Sequence, residues 1–219
     1  MFVFNPTLRS IFIAFSLLFA ITTPKAHADS SNDLLMNLTI IGAIGSFGYA
    51  CYEGQAPCSF DPSLNTDKLS LSVDVGADNT IQNNRFAFGA DWQKPLFENE
   101  HFRIGGRWEI NANYWYSTDK DADNKSGYIV GLTPVFHYIW KTGQIKPYLE
   151  LGGGPQYLSD VTIENEFKST QFQFGSIFGL GVQSDQFEIG YRYLHISNAN
   201  IETPNPGTDF HNLHIAYKF

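Results

Sequence analysis

His195 and Ser197 stand two residues apart in YRYLHISNAN (191–200), and Asp209 follows after a turn-rich loop. A hydroxyl, an imidazole and a carboxylate are the groups needed for a nucleophile, a general base and an orienting acid. Ser197 would attack an acyl ester and His195 would take its proton. Asp209 would fix the imidazole tautomer and stabilise the imidazolium. Asn198, next to the serine, is a candidate side-chain donor to the developing oxyanion. Glu202, in the same loop, is the alternative acid. The elbow signature G-x-S-x-G does not occur, so a different element must present the serine.

That element is an alternating strand. Tyr191, Tyr193, His195 and Ser197 share a parity with Phe187 and Ile189, while Glu188, Gly190, Arg192, Leu194 and Ile196 occupy the other. The same period of two runs through NRFAFGADWQ, FRIGGRWEINANYWY and QFQFGSIFGLGV. It yields eight strands, near 68–77, 84–94, 102–116, 127–140, 146–158, 170–182, 186–197 and 209–219. A soluble sandwich would bury an apolar face of each sheet and would leave the charged parity without a place. A membrane barrel turns its aromatic parity to lipid and its polar parity inward. The sequence therefore predicts an all-β fold, an eight-stranded antiparallel transmembrane β-barrel with short periplasmic turns and longer extracellular loops. Arg85, Arg103, Arg107, Glu109, Glu150, Glu188 and Arg192 are expected to pair inside it. Eight strands enclose a lumen that side chains just fill, so no pore is expected.

The chain ends DFHNLHIAYKF, with Phe219 in the parity of Leu213, Ile215 and Tyr217. A terminal aromatic on an amphipathic strand resembles the assembly signal of bacterial outer-membrane proteins. With both barrel ends periplasmic, PLFENE, KTGQI and SDQ become periplasmic turns. DNTIQNN, TDKDADNKS, SDVTIENEFKS and NANIETPNPGT become extracellular loops. His195, Ser197 and Asp209 then meet on the lipid-facing side of strands seven and eight, at the outer-leaflet rim. Polar groups facing lipid are costly, and the headgroup level is where they are tolerated.

Residues 1–28 read as a signal peptide: Arg9, the apolar run IFIAFSLLFAI, and Ala26-His27-Ala28 before Asp29. Past that point no run looks long and unbroken enough for a transmembrane helix. Residues 29–65 are expected to be an N-terminal periplasmic extension, with LLMNLTIIGAIGSFGYA open to an extra strand, an amphipathic segment or a tether. Cys51 and Cys58, the two cysteines, are expected to form one small disulfide in an oxidising compartment. Residues 66–219 form the barrel. Removal of the signal leaves 12 basic against 22 acidic residues, a net charge of −10, which excludes nucleic acid as a partner. His101, His137, His211 and His214 have no metal-ligand spacing, and Gly152-Gly153-Gly154-Pro155 lacks the lysine and helix of a phosphate cradle. No metal and no cofactor are expected.

PYLELGGGPQYLSD, STQFQFGSIFGLGV and GYRYLHISNANIETPNPGTDF together resemble the bacterial lipid A 3-O-deacylases, the PagL type, over about residues 66–219. The most specific part is H-x-S-N-A followed by P-N-x-G. The resemblance implies an eight-stranded outer-membrane enzyme that hydrolyses the ester-linked hydroxyacyl chain at position 3 of lipid A, by a Ser-His-Glu triad. On that pattern His195 is the base, Ser197 the nucleophile, Asn198 a matching asparagine and Asp209 the acid, one methylene shorter than the family's glutamate. Asn200 replaces a position where family members often carry glycine, which makes it a second oxyanion candidate. The partner is lipid A of lipopolysaccharide, in the outer membrane; oligomeric state is open, with a homodimer as the candidate. Two alternative readings are a non-catalytic structural barrel and another lipid-active enzyme, an acyltransferase or a phospholipase.

Overall fold

The computed structural model describes residues 30–59 and 62–219. The expected signal peptide, 1–28, lies outside them. Among the described residues one helix, α1 (Ser30–Glu53), precedes eleven strands. They are β1 (Leu64–Asp78), β2 (Ile81–Trp92), β3 (Phe97–Glu98), β4 (Phe102–Ser117), β5 (Ser126–Trp140), β6 (Lys146–Leu158), β7 (Thr162–Ile163), β8 (Glu166–Phe167), β9 (Phe172–Gln183), β10 (Phe187–Ser197) and β11 (Thr208–Lys218). Eight of them close a barrel in the order β1-β2-β4-β5-β6-β9-β10-β11, with β11 pairing back onto β1 and every pairing antiparallel. The pair β3 edges the start of β4, and β7–β8 is a hairpin inside the loop after β6. Closure leaves no unpaired strand edge, which a lipid environment requires.

The parity read from the sequence is the parity of the barrel wall. Leu71, Val73, Val75, Phe86, Phe88, Ile110, Val130, Leu132, Leu180, Ile189, Leu213 and Ile215 stand on the outside, exposed to lipid. Inside, Arg85 bonds Asp74 at 3.0 Å and Glu109 at 2.7 Å. Arg107 bonds Glu109, Glu150 and Glu188, and Arg192 bonds Asp74, Glu109 and Glu150. Each buried charge thus has several opposite partners, which is what offsets its desolvation. Arg103 is the exception to the expected set. It lines a cavity of about 730 Å³ at the periplasmic mouth, its Nε without a hydrogen-bond partner. Toward the loops the lumen is closed by Ile81, Trp115, Ile129, Val135, Leu158, Ile177, Leu194, Ile196 and Phe210.

Two elements differ from expectation. The connection DNTIQNN is no long loop, because β1 and β2 are joined only by Asn79 and Thr80. Asn83, which looked like a loop residue, faces the lumen: it donates to Asn212 Oδ1 at 2.9 Å and accepts from Asn113 at 3.4 Å. The other difference lies within residues 29–65, where the stretch left open as strand, amphipathic segment or tether is helical. Leu34–Glu53 is a 20-residue helical stretch of mean hydropathy 1.6, long and apolar enough to cross a membrane. Its glycines, serine and threonine break the apolar run in sequence without breaking the helix. It does not hang below the barrel. A Cβ on Gly42 would stand 2.6 Å from Leu151 Cδ1 of β6, and Ser46 hydrogen-bonds the Tyr138 hydroxyl of β5. Ala50 and Ala56 pack with Trp92, Leu96 and Phe136. Leu151, Tyr138 and Phe136 are outward residues, so α1 and the Cys51–Cys58 disulfide loop lie against the barrel's outer wall.

Candidate active site

The β10–β11 ladder sets His195 directly opposite Asp209. Residues opposite each other on one face have Cβ atoms about 4.5–5.5 Å apart, a gap that an aspartate spans without the extra methylene of glutamate. His195 Nδ1 is 2.6 Å from Asp209 Oδ1. The same oxygen accepts from the Tyr193 hydroxyl at 2.8 Å. The carboxylate makes Nδ1 the protonated nitrogen and leaves Nε2 as the basic one. One row lower, the Tyr191 hydroxyl and His211 Nδ1 are 2.6 Å apart, and below them Ile189, Leu213 and Ile215 begin the apolar belt. The wall therefore passes from hydrocarbon to polar groups at the outer rim.

Ser197 is the last residue of β10, half-buried and on the same face as His195. With a rise of about 3.3 Å per residue their roots are ~6.6 Å apart. The Ser197 hydroxyl forms no hydrogen bond among the described residues, so it is uncommitted toward the outer face.

Although it is on the lipid-facing wall, His195 is only 8 % exposed. The loop from Asn198 to Gly207 folds over it. A Cβ on Gly207 would stand 2.4 Å from His195 Cε1, so only a glycine lets the backbone lie against the imidazole. That backbone is held from another loop. Lys168 Nζ donates to Pro206 O at 3.0 Å, Gly207 O at 3.1 Å and Glu166 Oε2 at 2.6 Å. Burial holds the Lys168 pKa below the usual lysine value, and the bond to Glu166 opposes the shift. The Lys168 carbonyl in turn accepts from Asn198 Nδ2 at 3.2 Å.

The remaining sequence candidates are sorted by their partners. Asn198 is fully buried, and both hydrogens of its amide are committed, to Lys168 O and to Glu202 O at 2.9 Å. Its amide anchors the loop through these two bonds. Asn200 is exposed, with its Oδ1 accepting from Asn205 Nδ2 at 3.1 Å. Asn205 Oδ1 accepts the Asn198 backbone N–H at 2.8 Å. Ala199 and Asn200 have φ of 54° and 60°, and Ile201 N–H returns to Asn198 O at 3.1 Å, a turn of reversed hand immediately after Ser197. The Glu202 side chain is exposed and bonds to none of these groups. Lys168 and Tyr193 were given no role from the sequence, and Asn205 and Gly207 stood there only as part of P-N-x-G. Tyr193 shared the parity of His195 and could have been given one; Lys168 lies in a different loop, and no spacing marks it.

Among the described residues no three His, Cys, Asp or Glu side chains group as metal ligands. The large cavity lies at the opposite end of the barrel, where its floor of Arg107 and His137 belongs to the structural ion network.

Comparison with known proteins finds a family and its relatives over the barrel. The model of the family "Lipid A 3-O-deacylase (PagL)" matches residues 83–218. The lipid A deacylase PagL of Bordetella bronchiseptica is 31% identical over 137 residues, 59% of this chain and 74% of its own length. That of Pseudomonas aeruginosa is 28% identical over 130 residues, 59% of this chain and 73% of its own length. The crystal structure of the outer membrane enzyme PagL superposes with a TM-score of 0.60 at 24% identity, covering 68% of this chain and 97% of that one. With the eight-stranded barrel and the family match over most of its length, this chain belongs to the lipid A 3-O-deacylase (PagL) family of outer-membrane β-barrel hydrolases.

Proposed function

We propose that this protein hydrolyses the ester-linked 3-position hydroxyacyl chain of lipid A at the outer-leaflet rim, with Ser197 as nucleophile, His195 as base and Asp209 as acid. The 2.6 Å contact between His195 Nδ1 and Asp209 Oδ1, on the lipid-facing side of the barrel, carries the reading. Lipid A presents its ester at the depth where this pair stands. The Ser197 hydroxyl adds to the ester carbonyl as Nε2 of His195 takes its proton. The imidazolium then protonates the departing sugar oxygen, and water repeats the sequence on the acyl-serine. Asp209 keeps the imidazole oriented through both steps, and Tyr193 fixes Asp209.

The oxyanion needs donors fixed before reaction. Asn198 has none to spare, so the backbone N–H groups of the Ala199–Asn200 turn take that role. They make no hydrogen bond among the described residues and follow the nucleophile directly. Asn205 and Lys168 hold the turn in place.

The test is hydrolysis of lipid A in detergent by the purified barrel, read by mass spectrometry. Loss of one hydroxyacyl chain with wild type, and none with Ser197→Ala, supports the assignment. Gain of a chain would mean transfer, and unchanged lipid A with a folded wild-type barrel would leave a structural role.

A further inference from the structure

The helix α1 is inside out for water. Facing the barrel are Thr39 and Ala50, each 0 % exposed, Ser46 at 7 %, and Gly42; facing away are Leu34, Leu38 and Ile41, at 62, 54 and 63 %. Small residues against protein and large apolar ones outward is the pattern of a helix packed within a bilayer. Its hydroxyls are satisfied at home: Thr39 Oγ1 donates to Leu35 O at 2.7 Å and Ser46 Oγ to Gly42 O at 2.6 Å. The outward face of α1 is continuous with the apolar belt of the wall on which it lies.

The helix also has a direction. Its C-terminal turns cover Trp92 and Phe136 of β2 and β5, Ser46 meets Tyr138 of β5, Gly42 meets Leu151 of β6, and the helix contacts β9 as well. It therefore crosses the wall toward β10. Tyr138 is level with Leu149 in the ladder, two residues below Leu151. Four helical residues rise about 6 Å and two strand residues about 6.6 Å, so each turn of α1 climbs one outward row. The next turn, at Leu38 and Thr39, reaches the row of Gly153, Ser176, His195 and Asp209. In that row β6 contributes Gly153 and β9 contributes Ser176, the neighbours that lead to His195. A Cβ on Gly153 would meet just the Gly175 carbonyl, at 3.4 Å, and no atom of α1 within 4 Å. Leu151 and Phe178 bound this shallow place below, and Pro155 and Phe174 above.

We propose that α1 lies in the outer membrane as a helical addition to the lipid-facing wall, and that its N-terminal half forms the far side of a trough. The trough is floored by Gly153 and Ser176 and receives the acyl chain of the lipid cleaved at Ser197. The trough part rests on the deacylase reading; the membrane placement does not. The helix lies outside residues 83–218, the part of the chain that the family model matches. A chain lying from Ser197 across Ser176 meets α1 within about two strand spacings, ~10 Å, and the helix then sets how long or how bulky that chain can be.

Two measurements on the full chain decide it. An NBD label on Leu38→Cys, with the Cys51–Cys58 disulfide intact, should be quenched by brominated phospholipids as strongly as a label on Ile215→Cys. A label at 38 that is unquenched while that at 215 is quenched, or is missing from the membrane-borne protein, overturns the placement. Leu35→Trp, half-buried on the barrel-facing stripe of Thr39 and Gly42, should narrow the trough and change the ratio of kcat/KM between lipid A with long and with short 3-acyl chains by about tenfold. Tyr49→Trp, on the other half of the helix, should leave that ratio unchanged. Gly42→Leu, which drives α1 away from Leu151, should flatten the discrimination while the barrel still shifts on a gel as folded. A ratio unmoved by Leu35→Trp and Gly42→Leu, with hydrolysis intact, overturns the trough alone. Absence of hydrolysis by the wild type overturns the deacylase reading and the trough with it, and the quenching result still stands.

Discussion

Gly207 lies so close against His195 that a methyl group at 207 would come within 2.4 Å of the imidazole Cε1. The loop is thus the wall that keeps the base in place from above, as Asp209 does from the side. Gly207→Ala must push the ring or the loop aside. Displacement of a reacting group by about 1 Å costs on the order of 10² in rate. We expect kcat to fall by that factor with the barrel still folded; an unimpaired rate would show that the ring has another resting place.

Lys168 tests the same wall from behind. Lys168→Met removes the donor to Pro206 O and Gly207 O and leaves two loop carbonyls unpaired, so kcat should fall at least tenfold with KM for lipid A little changed. Lys168→Arg, which can still donate to both carbonyls and to Glu166, should recover most of it. The pKa of Lys168 is lowered by burial, so the ammonium loses its proton at a lower pH than a free lysine, near 10.4. As pH rises through that lowered value the charge-assisted bond to Glu166 is lost, and activity should decline on the alkaline side. Arginine stays charged there, so Lys168→Arg should move the decline upward. Identical alkaline limbs for the two proteins would dissociate Lys168 from it.

The acid can be assigned by three substitutions at one pH. Asp209→Asn keeps the shape but loses the charge that orients and stabilises the imidazolium, a change expected to cost ~10³ to 10⁴ in turnover. Asp209→Glu should be tolerated within about tenfold, because the cross-strand gap admits either carboxylate. Glu202→Gln should do little, its side chain being exposed and unbonded to the site. Loss of turnover in Glu202→Gln with Asp209→Asn unaffected would move the acid into the loop.

Inside the barrel, Arg192→Leu strands Asp74, Glu109 and Glu150, each of which bonds its guanidinium. Breaking such a buried network leaves uncompensated charge and costs about 3–5 kcal/mol. The variant should unfold at clearly lower temperature in a gel-shift assay while Ser197 and His195 are untouched. An unchanged transition would mean that the remaining arginines re-pair the acids.

The sequence by itself determined the barrel, because strand parity is a local property: with a period of two, each residue's face follows from its neighbours'. That was enough to put Arg85, Glu109, Glu150 and Arg192 in the lumen, and His195, Ser197 and Asp209 on one outward face. What the pattern could not decide was anything set by pairing between distant segments. Asn83 of IQNN passed for loop because its partners, Asn113 and Asn212, are far along the chain. Asn198 looked like a free donor because the carbonyls that occupy its amide come from Lys168 and from a turn that only the fold brings back. The reach of Asp209 depends on its standing directly opposite His195, which is a matter of register. And α1, with small residues scattered through an apolar stretch, has no periodicity that announces its place; only the wall of β5, β6 and β9, assembled from residues about 80 to 150 positions later, gives its small face something to meet.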